Sequence, residues 1–183
     1  VFATVASQFG DPGINRVFVE AYNSNRVAFG SATVDIWYDA GGMSVSGAIA
    51  TDTTWSAASG PYNVTGNLTV NSGATLTIQA GTTLYLGSSV DIIVASGGRL
   101  LAEGTAAAPI HFTRAPAAAT TWGGLTINGA VGSPQSRLSH VHFEYNNDTA
   151  VDVNAGDVWL DHLTFGNHTR QYLSLDGAAF VVQ

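Results

Sequence analysis

From Leu68 onward the chain repeats itself, and that repeat restricts its possible folds more than any other feature. Leu68-Thr-Val-Asn-Ser-Gly-Ala-Thr-Leu-Thr-Ile78 lies over Ile92-Ile-Val-Ala-Ser-Gly-Gly-Arg-Leu-Leu-Ala102 at an offset of 24, and Leu84 and Leu86 lie over Ile110 and Phe112 at an offset of 26. The same opening returns at Leu125-Thr-Ile-Asn-Gly129, Val151-Asp-Val-Asn-Ala-Gly156 and Leu173-Ser-Leu-Asp-Gly177. Short alternating strands broken by Gly or Asn-Gly at such a period predict a stacked solenoid, in which each turn buries its apolar edge against its neighbours.

Short strands are expected near 68–70, 75–78, 83–86, 90–94, 99–102, 109–113, 124–127, 138–145, 150–153, 158–165, 172–175 and 179–182. At three strands per coil, this makes about four to five coils. No stretch has helical periodicity, and the abundant Thr and Val suit pleated surfaces. Ala115–Thr121 reads as a looped-out insertion before Trp122. The expected core is Leu76, Ile78, Leu84, Leu86, Ile92, Val94, Leu100, Ile110, Phe112, Leu125, Ile127, Val141, Phe143, Val151, Val153, Leu163 and Phe165.

Residues 1–42 differ. Arg16–Tyr22 and Ala32–Tyr38 alternate, Asn23-Ser-Asn25 offers a turn toward Val27-Ala-Phe29, and Asp39-Ala-Gly-Gly42 reads as a joint. Two or three strands hold no core alone, so this segment is expected to be the tail of a sandwich domain or an N-terminal cap. The solenoid is expected over 43–183, with Trp55 and Pro61-Tyr62 covering a coil end. Ala178–Gln183 is an apolar strand with no polar cap after it. The chain is therefore expected to be a fragment whose last coil can self-associate, end to end into a filament among other ways, through Phe180 and Val182.

Composition narrows the partners. The chain has no Lys, six Arg, ten Asp and three Glu, for a net charge of −7. Nothing in it could neutralise a run of phosphates, so nucleic acid is not expected, nor an anionic membrane surface. Cys is absent, which removes disulfides and thiolate metal sites. No apolar run reaches the roughly 18 residues of a membrane span.

Specific strings carry a resemblance. Asp52-Thr-Thr-Trp55, Gly60-Pro-Tyr62, Gly73-Ala-Thr-Leu-Thr-Ile78, Gly81-Thr-Thr83, Gly98-Arg-Leu100, Gly104-Thr105, Pro109-Ile-His-Phe-Thr113 and Trp122-Gly-Gly-Leu125 resemble the right-handed parallel β-helix repeats of large secreted bacterial surface proteins, which share their fold with pectate lyases. Ile14-Asn-Arg-Val17 and Asp35-Ile-Trp-Tyr-Asp39 resemble the end of the immunoglobulin-like module that often precedes such a β-helix. The resemblance implies an all-β, right-handed parallel β-helix with a short N-terminal antiparallel segment, placed outside the cell or on its surface. The motifs that carry it are structural and say little about activity.

Chemistry is sparser. Leu138-Ser-His-Val-His-Phe143 lies over Leu160-Asp-His-Leu-Thr-Phe165 at an offset of 22. With Ile110, Val141 and Leu163 inward, His111 and His142 form one outer column and His140 and His162 the column beside it. Imidazole is the commonest ligand for zinc or copper, so these four histidines are a candidate metal patch. The competing reading is an ordinary solvated polar ladder. Glu144, beside the patch, and Trp159, between inward Val158 and Leu160, are candidate ligand-binding residues. Trp122, Tyr145 and Tyr172 are further candidates to stack on sugar rings, and Arg137 and Arg170 to flank the patch. Asp152-Val-Asn-Ala-Gly156 has alternating oxygen ligands but lacks the third ligand and the bidentate Glu of a calcium loop. No cofactor is expected. Asn63, Asn67, Asn147 and Asn167 begin Asn-x-Thr sequons, which matter only where the source glycosylates them.

A lyase or glycosidase needs paired carboxylates or a carboxylate–Arg pair in an outer groove, and the aspartates-plus-arginine arrangement of the pectate lyases is not visible. The expected function is therefore a structural or adhesive segment, a rigid stalk or binding face that meets glycan or protein at the cell surface. The alternative is a carbohydrate-active enzyme or glycan-binding module.

Overall fold

The computed structural model describes residues 2–4, 13–38 and 41–182. The joint expected at 39–42 thus falls partly outside them, as does the side chain of Val182. The first three strands, β1 (Phe2–Thr4), β2 (Gly13–Tyr22) and β3 (Ala28–Tyr38), form an antiparallel sheet in that order. The turn between β2 and β3 is set by Asn23, whose Oδ1 accepts the backbone N–H of Asn25 at 2.9 Å and of Val27 at 3.0 Å, as Asn commonly does at turns. The two strands expected at 27–29 and 32–38 are one, β3, because β2 pairs along its length from Gly13↔Tyr38 to Tyr22↔Ala28.

The rest winds into a parallel β-solenoid of about six turns. The first turn holds β4 (Met43–Ile49) and β5 (Thr53–Trp55), and the second β6 (Tyr62–Val70) and β7 (Thr75–Gln79). The third holds β8 (Thr83–Leu86), β9 (Ile92–Val94) and β10 (Arg99–Glu103), and the fourth β11 (Ile110–Thr113), β12 (Leu125–Asn128) and β13 (Ser136–Ser139). The fifth holds β14 (Val141–Glu144) and β15 (Val151–Asp161), and the sixth β16 (Thr164–Gly166), β17 (Leu173–Leu175) and β18 (Ala178–Val182). Stacking gives three faces. The first runs β4-β6-β8-β11-β14-β16, the second β4-β6-β9-β12-β15-β17 and the third β5-β7-β10-β13-β15-β18, with β4, β6 and β15 long enough to serve two faces.

The class agrees with expectation and the coil count does not. Residues 43–67 supply the first turn and the start of the second: Met43, Ser44 and Val45 pair with Tyr62, Asn63 and Val64 as rungs of the first face. Trp55 and Tyr62 stack at 4.5 Å within the core. The expected 138–145 strand is two strands, separated at His140. The expected 150–153 strand and the first part of 158–165 are one, β15, turning the corner at Gly156 (φ 91°).

Every expected core residue is buried except Leu163 and Phe165, which are half-buried in the last turn and pack against the core. Phe112, Trp122, Phe143 and Phe165 form an aromatic ladder, with Phe143 5.0 Å from Phe112 and 5.7 Å from Phe165. Trp122, expected as a possible sugar platform, is fully buried, and its indole N–H donates to the Glu144 carbonyl at 2.7 Å. The large ring re-anchors the chain after the 115–121 loop. Among the described residues no helix is long and apolar enough to cross a membrane.

Candidate functional site

The geometry around the histidines follows from how the chain turns from the third face to the first. In the last two such corners one residue makes the turn in the left-handed region, His140 (φ 48°) and His162 (φ 49°). This conformation is open to few side chains besides glycine, and His, Asn and Asp are enriched in it. The left-handed residue breaks the two-residue alternation, which is why Leu138 and Val141 both point inward although they are three apart. His140 and His162 therefore sit on a corner and not in a strand, and their rings stack at 4.5 Å. Asp161 accepts the His140 backbone N–H through its carbonyl, and its carboxylate pairs with His162 Nδ1.

On the first face alternation holds. Ile110↔Val141 and Phe112↔Phe143 are inward rungs, and His111↔His142 is the outward rung between them, with ring centroids 4.9 Å apart. Outward does not mean solvated here. The β2–β3 hairpin lies over this face: the Ile14 N–H donates to Thr83 Oγ1 at 2.9 Å, and Arg16 Nη1 reaches the Ala106 carbonyl at 3.4 Å. The approach is close enough that a Cβ at Gly13 (φ 115°) would stand 2.6 Å from Thr83 Oγ1. Beneath the hairpin His111 is only 3 % exposed, and neither ring nitrogen has a hydrogen-bond partner among the described residues.

Charges on the hairpin complete the cluster. Arg16 grips Asp35 with Nε at 2.8 Å and Nη2 at 2.9 Å, a two-point contact that keeps the carboxylate ionised well below its usual range. Burial, then the neighbouring His142, pushes His111 down to about 4. Burial, then Arg16, lowers His142 as well. Glu144, half-buried at the end of β14, is raised by burial despite a hydrogen bond from Thr113. A cleft of about 340 Å³ opens beside the hairpin, lined by Arg16, Thr105, His140, His142, His162 and Thr164 among others.

The structure divides the expected four-histidine patch. Two groups have donor atoms within 4.8 Å of one another, Asp35–His111–His142 and His140–Asp161–His162. The aspartates were missed. Asp161 had a signal, since it adjoins His162, whereas Asp35 lies 76 residues before His111, and only the folding of the hairpin onto the first face brings it there. Arg16, and not Arg137 or Arg170, is the arginine of this cluster. Arg137 stands over the Trp159 ring at 3.8 Å and 3.4 Å from Glu103.

The candidate ligand-binding residues do not meet. Glu144 lies on the first face and Trp159 on the third, where the guanidinium covers its ring. Tyr145 is similarly covered by Arg114 at 4.0 Å, while Tyr172 stacks on Phe165 at 5.4 Å. Asp148, Asp152 and Asp157 belong to no metal-holding group among the described residues. Asn154 instead donates to Asn128 Oδ1 at 2.9 Å in an exposed ladder at a coil corner.

The family model of the pectate-lyase-like β-helix domain matches residues 47–155, more than half of the chain. No curated protein and no solved structure matches it.

Proposed function

Because the chain belongs to the pectate-lyase-like β-helix domain family, we propose that it is a non-enzymatic β-helical segment of a secreted or cell-surface protein, a rigid stalk or binding face whose partners are glycans or proteins. One observation carries this reading: the strand face holding the acid, base and arginine is roofed by the N-terminal hairpin, leaving His111 3 % exposed, where a polymer chain would need an open groove. Asp35 is also engaged at both oxygens by Arg16. The extracellular placement rests on the likeness of the repeats to those of secreted bacterial surface proteins. In the same reading the β2–β3 hairpin is the end of an immunoglobulin-like module.

A carbohydrate-active enzyme is the second reading, favoured by the family and by two carboxyl groups displaced in opposite directions, Glu144 up and Asp35 down. Such a split marks acid and base partners in many active sites. A screen for bond cleavage on polyuronates and neutral glycans separates the two. The scaffold reading expects no turnover with any of them. Turnover that disappears in Glu144→Gln or Asp35→Asn would overturn it in favour of the enzyme.

Self-association is proposed through the last turn. Phe180 continues the inward row of Val158, yet it is 53 % exposed, and Val181 beside it is 49 % exposed. Sedimentation velocity of the 183-residue chain should show mass rising with concentration, and Phe180→Asp should reduce it. A monomer at every concentration would remove this proposal.

A further inference from the structure

We propose that Asp35, His111 and His142 bind one divalent transition-metal ion of the zinc class, which ties the N-terminal hairpin to the first face of the β-helix. The inference stands apart from the choice between scaffold and enzyme, since the ion's role in it is to join two parts of the chain.

Three observations converge. First, the donor set is two imidazoles and a carboxylate, a combination that suits zinc and its neighbours and not the hard, oxygen-seeking cations. Second, His111 is buried with both nitrogens unpartnered among the described residues. A buried polar group without a partner is costly, and a donor atom of another imidazole and one of a carboxylate lie within 4.8 Å of a ring nitrogen. Third, the ligands come from rigid elements: His111 and His142 are adjacent rungs of β11 and β14, and Asp35 is pinned opposite them on β3 by its pairing with Arg16 on β2.

The fit requires a small closure. Donor atoms lie within 4.8 Å of one another, whereas a tetrahedral site with bonds of about 2.0–2.1 Å has edges of roughly 3.4 Å. Rotation of the imidazoles about χ2, a broad torsion, covers this difference. Arg16 does not block the site. Its two N–H groups occupy one lone pair on each Asp35 oxygen and leave another free, and a ligating carboxylate is usually held by just such an outer hydrogen bond. Because Asp35 keeps its side chain 33 % exposed, the ion has a way in from solvent, and the fourth position falls to water. The corner group His140–Asp161–His162 is the weaker candidate, because its carboxylate already pairs with His162, whose side chain is 65 % exposed.

Calorimetric titration of chelator-treated protein with zinc chloride tests the assignment. One ion per chain is expected, with affinity at least tenfold weaker in Asp35→Asn and in His142→Gln and unchanged in His162→Gln. Excess calcium should not compete. At a hundredfold excess over Kd the wild-type Tm should rise on the order of 5 °C or more, and Asp35→Asn should lose that rise. Asp35 lies outside the solenoid core, so this variant stays informative even where His111→Gln fails to fold. Failure of wild type to bind would overturn the proposal, as would unchanged affinity in both Asp35→Asn and His142→Gln. Loss of binding in His162→Gln would move the ion to the corner group and equally overturn it.

Discussion

Replacing Phe143 by alanine is expected to lower the unfolding free energy by about 3–5 kcal/mol. The ring is fully buried, packed between Phe112 and Phe165 on adjacent turns and 6.5 Å from Trp122. Its removal takes away both its transfer free energy and the packing of three neighbours. Parallel strands hydrogen-bonded above and below cannot close in on the void, because their spacing is fixed at about 4.8 Å. Phe165→Ala is expected to cost less, since Phe165 is only half-buried. Urea unfolding of both variants measures the difference. A nearly uniform stack can also fray from one end, so m-values should accompany the midpoints. A loss below about 1 kcal/mol for Phe143→Ala would show that the aromatic ladder is not what holds the last turns.

The metal-free protein is expected to lose about 3 kcal/mol of stability between pH 6.5 and 4 through His111 alone. The folded state holds this imidazole down to about 4, against 6.5 for a free one, chiefly by burial and then by His142. Below pH 6.5 the unfolded chain takes up a proton that the folded chain refuses, so the stability present above 6.5 drains away as pH falls toward 4. The groups facing His111 have defined signs. His142, also lowered, adds to the acid loss. Asp35, lowered by Arg16, adds a loss at still lower pH. Glu144, raised by burial, acts in the opposite direction, since protonation relieves its burial. Urea midpoints at several pH values with chelator present should show a steep acid slope in wild type and a shallower one in His111→Leu. Equal slopes would mean that the hairpin does not bury His111.

Much of the fold could be read directly because a solenoid writes its geometry as local periodicity. Leu68–Ile78 and Ile92–Ala102 align by eye, and the structure pairs them as aligned: Leu68↔Ile92 and Thr69↔Ile93 on the second face, Leu76↔Leu100 and Ile78↔Ala102 on the third. The coil count was less legible. The first turn has Gly47 where later turns have Leu68 and Ile92, and Thr53 where they have Leu76 and Leu100, so it does not look like its successors. Terminal turns have fewer apolar neighbours, and several of their residues stay exposed, Met43 at 52 % among them.

The site divides along the same line. Alternation determined that His111 and His142 share an outward rung, because the inward partners Ile110, Phe112, Val141 and Phe143 are unmistakably apolar and a slip by one residue would bury the wrong set. Sequence also placed His140 and His162 in register at an offset of 22. What it could not supply was the corner, since one left-handed residue changes the parity of a strand without changing its composition. Nor could it supply the roof. Asp35 and Arg16 belong to a hairpin whose own pattern is ordinary alternating β, and no periodicity links them to residues 70 and more positions away. Local repetition, enforced at every turn by the same burial, determined the solenoid and its ladders. The docking of β2 and β3 on the first face, a contact made once and repeated nowhere, was decided only by tertiary structure, and it turned an exposed histidine ladder into a buried, charged cluster.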